Sequence, residues 1–97
     1  MQARVAGIYY ENRRFVARRV KSGDSVDILR DYENPVDSNA VAIYHQAGQL
    51  GFLPRDVAQR LAPELDAGEE IKAEVINVVQ GDVPEINIEL RLSPQDQ

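Results

Sequence analysis

Ile86, Ile88, Leu90 and Leu92 alternate without a break with Asn87, Glu89 and Arg91. Successive strand residues point to opposite faces, so this stretch reads as a strand with one buried and one wet face. Ile71, Ala73 and Val75 alternate in the same way with Lys72, Glu74 and Ile76, and Gln80-Gly81-Asp82 breaks the run between the two. Upstream, short apolar runs cut by turn signals continue the theme. Ala3–Tyr10 suits a first strand, with Gly7 marking a bulge or a close backbone approach. Phe15–Val20 fits an arginine-rich edge strand ended by Lys21-Ser22-Gly23-Asp24, and Ser25–Arg30 a further strand. Ala40–Tyr44 and Gln49–Leu53 form a hairpin around Gln46-Ala47-Gly48. One helical stripe interrupts the pattern: Val57, Ala58, Leu61 and Leu65 share a face, with Pro54 expected as the first helical residue and Pro63 as its limit. Six or seven short strands and one amphipathic helix predict a mainly β fold, a small and mostly antiparallel barrel with the helix packed on it.

The stretch Asp31-Tyr32-Glu33-Asn34-Pro35-Val36-Asp37-Ser38-Asn39-Ala40-Val41 stands out between two apolar runs. Asn34-Pro35 is a turn-initiating dipeptide, because the ring fixes φ at position 35 and pushes position 34 out of the helical region. Asn34, Asp37 and Asn39 have side chains short enough to bond nearby backbone, so the loop can satisfy its polar groups internally. It is either a corner of the scaffold or a platform for a ligand.

The 97 residues make one domain, expected to span 1–93 with a frayed tail at 94–97. No cysteine and a single histidine leave neither a disulfide framework nor a thiolate or histidine metal site. His45 falls at a strand end beside polar turn residues and is expected to be exposed. No run approaches the roughly 18 apolar residues of a spanning helix and no signal segment is visible, so a cytoplasmic protein without membrane contact is expected. The net charge of −5 argues against a generic nucleic-acid coat. Its distribution argues the other way: residues 1–30 carry seven basic side chains against three acidic ones, or +4, and the remainder four against thirteen, or −9. Asymmetry of this kind points to an interaction face, and a solvated charged strand gives the same count.

Catalysis and cofactors find little support. There is no Cys nucleophile, no tuned His base and no glycine-rich phosphate loop. Asp31, Glu33 and Asp37 supply oxygen ligands, but their spacing matches no calcium-loop pattern. No cofactor and no metal are expected. Binding is better supplied, since Tyr9 and Tyr10 are followed within four residues by Arg13 and Arg14, the ingredients for stacking bases and holding phosphates of a single strand. On strand geometry alone, one tyrosine of the pair would belong to the core.

Val5-Ala6-Gly7-Ile8-Tyr9-Tyr10, the Asp31–Val41 stretch, Leu50-Gly51-Phe52-Leu53-Pro54-Arg55 and Leu61-Ala62-Pro63 together resemble the HIRAN domain. The resemblance covers about nine-tenths of the chain. It implies a modified OB-like barrel, of the kind found at the N-terminus of chromatin-remodelling-type helicases in replication-fork repair and as small stand-alone bacterial and phage proteins. It also implies capture of the 3′ end of single-stranded DNA. On that resemblance Tyr10 corresponds to a base-stacking aromatic, Asn34 and Asp37 to side chains around the terminal nucleotide, and Arg55 to a phosphate-contacting lysine. A carboxylate repels phosphate yet accepts a hydrogen bond from a free hydroxyl, which suits Asp37 to an end rather than an internal linkage. The chain departs from the pattern at Glu33, Val36 and Phe52, where those members carry an asparagine, an aromatic and a histidine. Losing a loop aromatic removes a stacking face worth about 1–3 kcal/mol per base, so weaker binding or a shifted ligand is implied.

The expected function is a non-enzymatic module for single-stranded DNA ends, with Tyr9, Tyr10 and Phe52 stacking, Arg13, Arg14 and Arg55 neutralising phosphate, and Asn34 and Asp37 reading the terminal sugar. A helicase or repair protein acting in trans would be its partner. The alternative is a protein-interaction module that recruits a repair or phage partner through the acidic face or a barrel edge.

Overall fold

The computed structural model describes residues 1–92. The tail expected at 94–97 and the last residue of the expected domain lie outside them. Six strands run in chain order as β1 (Gln2–Arg4), β2 (Ser25–Arg30), β3 (Val41–His45), β4 (Gly48–Phe52), β5 (Ile71–Val79) and β6 (Glu85–Leu92), with helices α1 (Arg13–Ala17) and α2 (Arg55–Asp66). All pairings are antiparallel, in the order β1-β6-β5-β2-β3-β4. The mainly β fold is as the alternation predicts: Ile86, Ile88 and Leu90 are buried while their β6 neighbours face outward.

The sheet curls until its two edges meet. Just beyond β1, Ala6 pairs with Phe52 of the opposite edge strand, through Ala6 N–H to the Phe52 carbonyl (2.8 Å) and Phe52 N–H to the Ala6 carbonyl (2.9 Å). Closure at this point needs Gly51. A Cβ there would overlap the Ala6 carbonyl oxygen and lie 2.8 Å from Val5 Cγ1. Inside the curl, Val5, Ile8, Val26, Ile28, Val41, Ile43, Leu50, Val75, Ile86 and Ile88 form the core, and α2 covers it with Ala58, Leu61 and Ala62.

Four local expectations are corrected. Ala3–Tyr10 is not one strand: after Arg4 only Ala6 pairs, and Gly7 (φ +74°) turns the chain so that Tyr9 and Tyr10 lie in a turn. Phe15–Val20 is not an edge strand. Arg13–Ala17 forms a helix, with the half-buried Arg13 and Val16 and the buried Ala17 and Val20 on one side, a three-four-seven spacing that belongs to a helix. Pro54 (ψ 147°) is the cap before α2 rather than its first residue, and Pro63 lies inside the helix. Pro63 and Gln59 are both exposed, so the carbonyl that the proline leaves without its N–H faces water, and the helix continues to Asp66. Finally, the His45 side chain is only 7% exposed. Its Nδ1 accepts the Ala47 N–H (3.1 Å), which leaves Nε2 to donate to Asp24 (2.8 Å) and ties the β3–β4 turn to the turn before β2.

Arg30 fixes the Asp31–Val41 loop. Its side chain is 9% exposed, and its guanidinium donates to the Ala40 carbonyl (2.7 Å), the Ser38 carbonyl (3.0 Å) and Asp66 at the end of α2 (2.9 Å). Tyr32 stacks under it, 4.6 Å from ring centre to guanidinium carbon, and donates its hydroxyl to the same Asp66 oxygen.

Gly51→Ala is expected to destabilise the fold by about 3 kcal/mol, because backbone must shift to admit the methyl, and urea unfolding would measure it. Arg30→Lys should cost about 2 kcal/mol in the same assay, since an ammonium cannot span three acceptors as a planar fork does. Asp66 is held below the ordinary aspartate value first by the Tyr32 hydroxyl and then by Arg30; Asp24 is lowered by the Lys21 N–H and then by His45. For groups depressed in the fold, the stabilisation is complete above the unfolded value and lost as pH falls through the folded one. The unfolding midpoint should therefore hold through mild acid and drop only below roughly pH 4, and Asp66→Asn should lessen that drop.

Candidate nucleic-acid interface

The turn after Gly7 places both tyrosines in solvent. Tyr9 is 60% and Tyr10 56% exposed, so neither belongs to the core. Their ring centres lie 4.6 Å apart at 36°, forming a two-ring platform. A hydrogen bond with the Tyr10 hydroxyl raises the Tyr9 pKa above the ordinary phenol value. Glu11, at φ +56°, holds a left-handed conformation that costs a non-glycine residue about 1–2 kcal/mol and delivers the chain from the platform into α1.

Arg13 returns from α1 to this platform. Its Nη1 donates to the Gly7 carbonyl (2.9 Å), and its guanidinium lies 5.0 Å from the Phe52 ring centre and 5.9 Å from that of Tyr10. A Cβ on Gly7 would meet Nη1 at 2.9 Å, so the glycine provides both the turn and the space for the guanidinium. Arg13 is half-buried, 14% exposed; its Nη2 stands 4.0 Å from the Glu11 carboxylate, and its Nε has no hydrogen-bond partner. Phe52 therefore presents one face to Arg13. The Phe52 backbone is the closure pair with Ala6, so ring, guanidinium and tyrosine platform are fixed to the place where the sheet closes.

The polar loop approaches from the other end of the same hairpin, through Pro54 and Arg55. Asn34 Oδ1 accepts the N–H groups of Val36 and Asp37 (both 2.9 Å), and its Nδ2 donates to Asp31 (3.3 Å). The Asn34 amide is thus committed to loop shape. Asp37 Oδ1 accepts the Asn39 N–H (2.9 Å), while Oδ2 stands 3.8 Å from Arg55 Nε. Arg55 is 68% exposed and reaches the Val36 carbonyl at 3.4 Å. Val36, at 77% exposed, offers only an aliphatic surface.

A groove of about 400 Å3 runs beside Tyr9, lined by the Arg4–Tyr9 segment together with Pro54, Val83, Pro84 and Glu85. Sequence reasoning overlooked the Val83-Pro84 wall. An apolar pair in the turn between two alternating strands, of which Val83 is exposed and Pro84 buried, was the available signal.

The structure brings Tyr9, Tyr10, Arg13 and Phe52 into one cluster and Asn34, Asp37 and Arg55 into a second, joined through the Phe52–Arg55 segment. Arg14 stands apart from both. Its guanidinium packs 5.3 Å from the Phe15 ring centre on the outer side of α1. Among the described residues, no group of three or more His, Cys, Asp or Glu is arranged to hold a metal ion, and no helix is long and apolar enough to cross a membrane.

The family model of the HIRAN domain matches residues 1–94. The Fanconi-associated nuclease 1 homolog of Oryza sativa subsp. japonica is 32% identical over 77 residues, which is 74% of this chain and 8% of that protein. The chain therefore spans less than a tenth of that curated relative. Among solved structures, the HIRAN domain of human HLTF superposes with a TM-score of 0.77 at 24% identity, over 95% of this chain and 73% of that one. A protein from Lactobacillus plantarum gives 0.72 at 21% identity, over 92% and 90%. Both share the curled six-stranded fold. With the family match running through the tyrosine turn, the polar loop and the closing hairpin, this chain belongs to the HIRAN domain family.

Proposed function

We propose that this chain is a non-enzymatic nucleic-acid-binding module that takes the 3′ end of single-stranded DNA, in DNA repair or replication-fork processing within the cytoplasm. The observation that carries the reading is the exposed Tyr9–Tyr10 platform joined to Arg13. Two large aromatic rings left in water beside a guanidinium form a surface suited to stacked bases and a phosphate. Bases stack on the tyrosines. Arg13 and Arg55 face phosphates, Arg55 from an exposed position suited to a flexible end.

Asp37 carries the end reading. One of its oxygens is committed to the loop; the other, near Arg55, accepts a hydrogen bond from a terminal 3′-hydroxyl and repels a phosphate in its place. Asn34 acts indirectly, by presenting the Asp37 backbone. Phe52 acts through Arg13, which covers one of its faces, and so serves as a brace for the cation. Glu33 and Val36 leave the loop without a stacking ring, which sets the affinity lower than a full aromatic lining would give. A helicase or repair partner in trans would supply the motor that a binding module lacks.

Tyr10→Ala should weaken binding of a short single-stranded oligonucleotide by about 1–3 kcal/mol, roughly 5- to 150-fold, in a fluorescence anisotropy titration. Oligonucleotides with a free and a 3′-phosphorylated end should differ in affinity for the wild type, and Asp37→Ala should abolish that difference while retaining binding. Equal affinity of the wild type for both ends would remove the end-reading role. Absence of binding at low salt, together with a protein partner retained from nuclease-treated lysate, would favour the protein-interaction alternative.

A further inference from the structure

The outer side of α1 is a second surface that the groove does not account for. Phe15 is 51% exposed, and two guanidinium groups sit on its ring, Arg14 at 5.3 Å and Arg18 at 5.7 Å from the ring centre. Arg19 is exposed one residue further on. None of these three arginines forms an ion pair with a described carboxylate, although the chain carries five more acidic than basic side chains. Two cations on an exposed aromatic and a third exposed beside them in the chain, none in a direct ion pair, make a local cluster of positive charge on a protein with acid to spare.

This surface is continuous with the groove. Arg18 Nη2 donates to the Asp82 carbonyl (3.4 Å), and the next three residues, Val83, Pro84 and Glu85, line the groove together with Tyr9. On the other side, Arg13 of the same helix turn belongs to the tyrosine site. The Asp82 side chain makes no direct ion pair with Arg18.

We infer that the outer face of α1 is a second nucleic-acid contact, on which Arg14, Arg18 and Arg19 hold internal phosphates of the same strand and Phe15 packs against a base or sugar. The inference rests on the tyrosine platform and Asp37 forming a strand-end site. It adds a direction: a strand whose end is seated at the tyrosines leaves over the Asp82–Glu85 turn and crosses α1. The module then reads an end with one surface and holds the strand behind it with another, so affinity rises with strand length beyond what the groove alone can contact.

The test is an anisotropy titration of oligonucleotides of about 4 and about 16 nucleotides, which bracket single-strand site sizes for folds of this kind. Arg14→Gln/Arg18→Gln should bind the short oligonucleotide as the wild type does. With the long one it should lose roughly 20-fold at about 0.1 M salt, with a log–log salt slope shallower by about 1.4, two phosphates at about 0.7 each. Arg14→Lys/Arg18→Lys should restore most of the slope, which a folding defect would not allow. Wild-type binding of the long oligonucleotide by the Gln double variant overturns the second contact and leaves the end site intact. Binding of only the long oligonucleotide, dependent on Arg14 and Arg18, overturns the end site on which the directional reading depends.

Discussion

The closure of the sheet at Ala6 and Phe52 is the constraint from which the candidate site follows. Two backbone hydrogen bonds join the strand edges there, and they form only because Gly51 leaves room for the Ala6 carbonyl. The residue after Ala6 is Gly7, whose positive φ sends Tyr9 and Tyr10 outward, and the side chain of the partner residue Phe52 receives Arg13. Backbone closure and aromatic cluster are the same structural event seen from two sides. A barrel closed one pair further along would alternate the faces and bury what is now exposed.

The polar loop depends on a different residue, and for an electrostatic reason. Arg30 is nearly buried, and burial of a cation is tolerated only when its donors are filled. Two loop carbonyls and Asp66 fill them, so the guanidinium fastens the loop to the end of α2 at the same time as it satisfies itself. Asn34 then sets the tighter curve within, and Asp37 is left with one oxygen for other use. Scaffold and platform, which the residues alone present as alternatives, are divided here between side chains: Arg30 and Asn34 shape the loop, and Asp37 with Arg55 forms its accessible edge.

Legibility in the sequence followed how local the determining forces were. β2, β6 and the β3–β4 hairpin were readable because alternation and turn residues act within a few positions. The helix at Arg13–Ala17 was obscured because Phe15 is exposed despite its size, which makes an apolar run of what is a helical stripe through Arg13, Val16, Ala17 and Val20. The burial of His45 depends on Asp24, 21 residues away, and the role of Arg30 on Asp66, 36 residues away; no window around either residue contains its partner. For the site, residue types near Gly7 pointed to stacking and phosphate contact. The division of Arg13 from Arg14 needed the helix, in which adjacent residues are about 100° apart.

That division changes what the charge asymmetry means. Seven basic residues in the first thirty suggested one positive face, and the fold distributes them to different tasks. Arg4 pairs with Glu85, Arg30 is consumed by the loop, Arg13 is drawn under the tyrosines, Arg14 and Arg18 pack on Phe15, and Arg19 and Lys21 are exposed. Charges further apart than a Debye length, about 8 Å at physiological salt, are largely screened, so neither the sum over a segment nor the net charge of the chain governs what a phosphate meets at a given point. What governs it is how the nearest charges are arranged around that point. An acidic protein can therefore carry a polyanion-binding surface where arginines gather without a direct ion-pair partner, as Arg14 and Arg18 do on Phe15.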